Sequence, residues 1–408
     1  MRIFAFEGLR YTPTAGETGE LAALPYDQID NSLRDRYHAQ SPYQFVHLTR
    51  PVPPEGEDPY RHSAGLHGRW LAEGAVARDP RPALYPYAVE LTEGDRRLGL
   101  MALVGYEDAS HIRPHEQTLD KPLAERLALL EATRVDYEPI FLLSEDGGRL
   151  EELLQEDMAA QPIVRHRDPA GHIHLLYKVD DPARIARYQE ALQVPAAIAD
   201  GHHRYKVGQR FAREHGAKEG TAAAAKLAVI TSIQSPALTI RPTHRGLRET
   251  ADLSKLAGVA VTAEPFRGST GDEMLEAVAA ALQPAVGVWI AGHEPEVWHL
   301  DPTMVPNATS PGVPQLPVEV LHKTILPALG YPPEAATDGT VVYRDNADQL
   351  FTEVKEGTFG TAFWLPPTAP AEFSLAIAGG NMLPPKSTRF MPKVMSGLVW
   401  ADHDSKLL

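Results

Sequence analysis

Cysteine is absent from the 408 residues, which at once removes disulfides, thiolate nucleophiles and cysteine-bound zinc or iron–sulfur centres. Any chemistry the chain performs must use oxygen and nitrogen groups. An excess of positive charge is also missing: 39 Lys and Arg stand against 54 Asp and Glu, a formal net charge of −15. Such a chain lacks the concentrated cations that grip a nucleic-acid backbone, although a local basic pocket for a small anion is compatible with it. No apolar run reaches the roughly 20 residues of a membrane-spanning helix. Residues 1–7 read as a strand, without the apolar core and cleavage site of a secretory leader. Together these absences point to a cytoplasmic protein with no nucleic-acid or membrane partner.

What is present is a globular composition, 43% hydrophobic, enough for two or three domains or one elaborated domain. The 36 prolines and 31 glycines are dispersed, implying many turns and no single disordered linker. Strand-like runs at 83–90 and 98–105, joined by Thr92-Glu93-Gly94-Asp95, predict a hairpin. A helical stretch over 60–73 offers Leu66, Trp70 and Leu71 to the sheet. Further on, the pattern predicts helices over 123–133, 150–160, 222–228 and 273–282, and strands over 172–179, 285–290 and 359–365, with a β-rich run over 229–240. There is no internal repeat.

The densest constellation is Asp200-Gly201-His202-His203-Arg204, between the apolar run 194–199 and a helix carrying Tyr205, Val207 and Phe211 as its apolar positions. Gly201 lets the backbone approach a ligand closely, and the first turn of the helix favours an anion, phosphate above all. Arg204 adds a planar fork suited to phosphate oxygens. Asp200 suits a metal or a polar substrate group, or simply an N-cap. A second cluster, His115-Glu116 before the helix with Glu125 and Arg126, supplies a candidate general base in Glu116; its alternative is a cap or surface ion pair. Pro114 between His111 and His115 argues against a metal-binding helix, and position 119 is not the histidine a zinc protease needs. A third set, Lys386-Ser387-Thr388-Arg389 with Lys393, offers cations and hydroxyls to phosphate, but Pro384 and Pro385 rule out a P-loop. Tyr26-Asp27, with Arg34 and Arg36 downstream, is the fourth cluster; a turn and helix cap also explain it.

In this order, Pro25-Tyr26-Asp27, His115-Glu116 with Arg126 and Pro139-Ile140-Phe141, Asp200-Gly-His-His-Arg-Tyr205, Pro242-Thr-His244-Arg245 and Pro385-Lys-Ser-Thr-Arg-Phe-Met-Pro-Lys393 resemble a prokaryotic family, domain of unknown function 1015, over nearly the whole chain. The middle part is similar to free-serine kinases of the ParB/sulfiredoxin fold, which phosphorylate the amino acid's hydroxyl from ADP or, in closer relatives, pyrophosphate. The resemblance implies an α+β fold: an N-terminal α/β extension over 1–107, a ParB/sulfiredoxin-like core over 108–248 with an insertion at about 147–193, and a C-terminal α/β region over 249–408. It implies Glu116 as base, Asp200 and His202 as further catalytic groups, and Mg²⁺ at Asp200. Gly201, His202, His203 and Arg204 become the phosphate cradle; the segment with Lys386, Ser387, Thr388 and Lys393 has no counterpart in the minimal kinase fold, and its cations and hydroxyls, with Arg245, are a separate expectation for donor binding, as His115, Arg126, Tyr26 and Asp27 are for the substrate. Arg389 stands where an aromatic residue is expected. The expected partners are serine with pyrophosphate or a nucleotide. Two other readings stay open: a metal-dependent phosphohydrolase acting on phosphoserine, and a non-catalytic nucleotide- or DNA-binding protein.

Overall fold

The computed structural model describes all residues except 109, 117–119, 257–258, 260, 302–314 and 381, and leaves undescribed the side chains of 120–122 and 261. It is an α+β protein that divides into two compact units. The first comprises Met1–Pro114, Thr118–Leu238 and Pro392–Leu408; the second comprises His115–Gln117 and Thr239–Met391.

Among the described residues the first unit is built on a nine-stranded mixed sheet. Its path runs Ile112–Arg113, Ala196–Asp200, Ile140–Ser144, Ala225–Ser232, Arg96–Gly105, Tyr85–Glu90, Ile173–Leu176, Val164–Arg167, with Ile3–Phe4 also paired to Arg96–Gly105. The expected hairpin is present, with Tyr85 opposite Met101 and Glu90 opposite Arg96. The predicted helix over 222–228 is instead a single 3₁₀ turn, Ala222–Ala224, followed at once by the strand Ala225–Ser232. Every residue of that strand is buried, because it lies inside the sheet between two partners. An alanine run favours a helix locally, and burial among neighbouring strands overrides that preference.

Leu100, Ala102, Leu142, Ile198 and Ile230 meet in the core beneath this sheet, together with Leu150, Leu154 and Tyr188 from two helices. The helices Asp120–Thr133 and His202–Glu214 pack through Leu127, Val207 and Phe211. In the helix Pro59–Ala72 the buried positions are Ser63, His67 and Trp70, whereas Leu71, expected inside, is 39% exposed. The helix is rotated so that Ser63 can donate to the Leu48 carbonyl, 2.7 Å away.

The second unit carries a six-stranded, wholly antiparallel sheet in the order Val261–Pro265, Glu296–Leu300, Ala285–Ile290, Thr361–Trp364, His244–Leu247, Val341–Arg344. The helices Gly271–Ala279 and Ala347–Lys355 cover it through Met274, Val278, Leu350 and Phe351. Thr270 and Glu273 form a reciprocal cap that fixes where the first of these helices begins.

Candidate active site

In the first unit, the strand Ala196–Asp200 slips its register against Ile140–Ser144: Ile198 faces Leu142, and Asp200 faces Phe141. The extra residue bends the strand and re-aims its last side chain, as bulges beside functional sites do. Gly201 follows with φ 94°, and a Cβ there would come within 2.8 Å of Ile140 Cγ2 and 3.1 Å of Arg204 Nε. Only glycine satisfies both constraints. Gly201, not Asp200, is the N-cap of the helix His202–Glu214, which leaves the Asp200 carboxylate for other partners.

Those partners are cations. Lys393 Nζ donates to Asp200 Oδ2 at 2.9 Å, and Arg204 Nη2 lies 3.8 Å from Asp200 Oδ1. Burial alone would raise the Asp200 carboxyl, but Lys393 and Arg204 hold it down to about 2. Arg204 is buried and donates from Nη1 to the Pro139 carbonyl. Burial works against its charge, and Asp200, Glu138 and Asp27 more than offset that. Burial pulls the His202 imidazole down to about 4 despite the neighbouring Asp200. At neutral pH His202 is therefore an uncharged ring, and Arg204 and Lys393 are the cations that face Asp200.

Beside this turn the structure places Tyr26, Asp27 and Arg126, together with Glu138, which the sequence reading did not single out. The Tyr26 N–H donates to Glu138 Oε1 at 2.9 Å, and the Arg126 guanidinium stands 4.1 Å from the centre of the Tyr26 ring. Burial pushes the Glu138 carboxyl up, partly countered by Arg204 and Arg126. Arg126, Glu138, Arg204 and Lys226 line a cavity of about 50 Å³, large enough for about one or two waters. Lys226 closes it through an ion pair with Asp136 and a 2.9 Å bond to the Glu138 carbonyl. The one sequence signal for Glu138 is an acid set directly before the apolar run Pro139-Ile140-Phe141.

The second unit gathers His115, Glu116, Arg245 and the loop Lys386-Ser387-Thr388. The His115 carbonyl accepts from the Leu383 N–H at 2.8 Å, and Glu116 pairs with Leu383 in a parallel bridge. His115 Nε2 lies 2.9 Å from Thr388 Oγ1, and its ring packs edge-on against Phe373. Arg245 is fully buried. Its fork donates to the Thr243 carbonyl, to His322 Nε2 at 3.0 Å, and to the carbonyls of Pro385 and Lys386 at 3.2 Å each. Burial pulls the guanidinium down to about 10, with Tyr343 and Glu116 opposing. Lys386 is exposed with φ 57°, a left-handed conformation that Arg245 secures by holding the carbonyl of Lys386 and that of the residue before it. Ser387 donates to the Pro384 carbonyl at 2.6 Å. Arg389 pairs with Asp345 at 2.6 Å. Gln117, Thr118 and Asn381, neighbours of these clusters, lie outside the described residues.

Magnesium is the ion the sequence resemblance implies. Among the described residues no three His, Asp or Glu side chains are grouped to hold a metal ion, and Asp200 already pairs with Lys393. This donor set fits an ion that brings its own phosphate ligands rather than one resident in a protein cage.

The fold and this turn define an α+β protein with an acidic residue and two buried or half-buried cations gathered at a strand-to-helix glycine. A family profile narrows the class: it matches residues 3–318, and the chain belongs to that family, described as "Protein of unknown function (DUF1015)". Solved structures superpose more loosely. A conserved hypothetical protein from Pyrococcus furiosus shares 14% identity over 74% of this chain and 94% of its own, with a TM-score of 0.38. A free serine kinase in complex with AMP shares 16% over 74% and 92%, with a TM-score of 0.40. C-terminally truncated SbnI from Staphylococcus aureus shares 12% over 72% and 85%, with a TM-score of 0.38. No curated protein matches the chain. No described helix is long and apolar enough to cross a membrane.

Proposed function

We propose that the protein is a small-molecule phosphotransferase that phosphorylates the hydroxyl of free L-serine, with pyrophosphate, ADP or ATP as donor. The observation that carries this reading is the Asp200-to-Arg204 turn: a glycine-only backbone at a helix start, a buried guanidinium, and an ammonium on the same carboxylate. That is an electrostatic set suited to a phosphoryl group with developing charge. The resemblance of the middle motifs, Glu116 through Arg204, to free-serine kinases supports it.

In the reaction the serine Oγ forms a bond to the transferred phosphorus while the donor's bridging P–O bond breaks. The Oγ proton passes to the Glu116 carboxylate, and the donor leaves as inorganic phosphate, AMP or ADP. Gly201, His203, Arg204 and Lys393 hold donor phosphates in the first unit; in the second, Lys386, Ser387 and Thr388, on the loop shaped by Arg245, are phosphate-binding groups. His202, neutral, orients by hydrogen bonding. Tyr26, Asp27, Arg126 and His115 contact the amino acid. Mg²⁺ arriving on the donor's phosphates would supply charge neutralisation, with Asp200 as its one protein carboxylate. A ParB/sulfiredoxin-like character for 108–248 and a cytoplasmic location belong to the same proposal.

The test is ³¹P NMR of the protein with Mg²⁺ and L-serine, supplied in turn with pyrophosphate, ADP and ATP, and separately with phosphoserine alone. Phosphoserine formation supports the proposal and identifies the donor. Hydrolysis of phosphoserine without transfer from any donor would replace it with a phosphohydrolase.

A further inference from the structure

The face of the large sheet that carries Asp200 also carries an arginine outside every motif. Cross-strand partners share a face, and the register links Asp200 to Phe141, Phe141 to Val229, and Val229 to Met101. Alternation along Arg96–Gly105 then puts Gly99 and Arg97 on the same side as Met101. Arg97 is 2% exposed. Its Nη1 donates to the Pro392 carbonyl at 2.6 Å, and its guanidinium carbon stands 5.0 Å from the centre of the Phe141 ring. Its Nη2 is buried with no hydrogen-bond partner, and among the described residues no carboxylate acts on it.

A buried cation of this kind is costly. Other large buried charges in the first unit have counter-charges: Arg204 has Asp200 and Glu138, and Lys226 has Asp136. For Arg97 burial draws the guanidinium down to about 10, with only the Tyr87 phenol opposing, so it still carries its charge at neutral pH. A planar fork with one nitrogen satisfied and one not is half of a bidentate anion site. Its position is specific. The carbonyl it holds belongs to the peptide that joins Pro392 to Lys393, and Lys393 is the ammonium on Asp200. One peptide unit thus connects the unpaired guanidinium to the Asp200 cluster.

We propose that Arg97 is a ligand-binding residue of the Asp200 site: Nη2 donates to an anionic phosphoryl oxygen while Nη1 keeps its bond to the Pro392 carbonyl. The ligand class is a phosphate or pyrophosphate group, and it supplies the counter-charge the protein does not. This rests on the phosphotransferase reading only in taking phosphate as the anion.

The test is calorimetric titration of inorganic pyrophosphate, inorganic phosphate and L-serine into the wild type, Arg97→Met and Arg97→Lys, with melting of each ligand-free protein. Removing an unpaired buried charge for an apolar side chain of similar length raises the melting temperature of the ligand-free protein. Arg97→Met is therefore expected to melt higher than wild type yet bind pyrophosphate on the order of tenfold or more weaker. Pyrophosphate binding equal to wild type overturns the inference, as do loss of L-serine binding alone and absence of any phosphate or pyrophosphate binding by the wild type. A lower melting temperature with unchanged binding overturns it too, leaving Arg97 as a clamp on Pro392. Should Arg97→Met fail to fold, Arg97→Lys decides: several-fold weaker pyrophosphate binding is expected because the fork is lost, and unchanged binding overturns the inference. Binding is read without turnover, so the two proposals fail separately. If wild type transfers nothing to serine while Arg97→Met loses pyrophosphate, only the serine kinase reading falls.

Discussion

The Asp200 cluster of the first unit and the Arg245 cluster of the second both centre on a buried arginine, and the two arginines are satisfied in opposite ways. Arg204 is surrounded by acids, Asp200 and Glu138 foremost, and keeps its charge firmly. Arg245 has backbone carbonyls, an imidazole and an aromatic face, and burial weakens its hold on the proton. The first arrangement stores a charge balance that a phosphate and its cation can enter. The second spends its hydrogen bonds on shaping the loop that carries Lys386, Ser387 and Thr388. A buried arginine in a sequence motif is thus not a phosphate ligand merely by being arginine; what its donors already hold decides.

Replacing the two arginines breaks this comparison most sharply. Arg204→Met removes the buried guanidinium shared by Glu138 and the half-buried Asp200, leaving only Arg126 and Lys393 beside them, and urea unfolding should show a loss of about 3–5 kcal/mol. Arg245→Met strands only carbonyls and a neutral imidazole, for which a loss of about 1–3 kcal/mol is expected. Equal losses would mean that the acids contribute nothing to holding Arg204. Gly201→Ala places a Cβ against Ile140 on a left-handed backbone, and about 1–3 kcal/mol of strain should appear in the same assay along with weakened pyrophosphate binding. A variant that binds as well as wild type would show that the turn's geometry is irrelevant to the ligand.

Acid pH separates the units more gently. His67, His174 and His202 of the first unit sit near 4, and His244 and His322 of the second near 3, all lowered chiefly by burial from 6.5. The unfolded chain therefore binds these protons more readily. Their contribution to stability is complete above about pH 6.5 and falls as pH drops toward 4 in the first unit and toward 3 in the second. Asp200, held at about 2 against 3.8, adds a further loss only below about pH 4. Stability measured from pH 7 to 4 should decline, and His202→Asn should make that decline shallower; a slope unchanged by the substitution would contradict a neutral, buried His202.

Local chemistry made part of this readable from sequence. Gly201 is at a turn, and Tyr205, Val207 and Phe211 are all buried, because glycine punctuation and helical spacing are short-range signals. The strand Ala225–Ser232 was hidden because its alanines satisfy a helix locally and only neighbouring strands make it a strand. Lys393 was visible as a cation, but its pairing with Asp200 spans 193 residues of sequence. Glu138 and Arg97 gave weaker signals still, since the significance of each comes from cross-strand register, a bulge, and the absence or presence of a counter-charge that no local pattern encodes.

The central claim is that Glu116 takes the proton and the Asp200 cluster holds the donor. Its most direct test is the initial rate of phosphoserine formation by Glu116→Gln, measured beside pyrophosphate affinity for the same variant. The account predicts a rate lower by on the order of 10² or more with pyrophosphate affinity unchanged; a Glu116→Gln protein that forms phosphoserine as fast as wild type would contradict it.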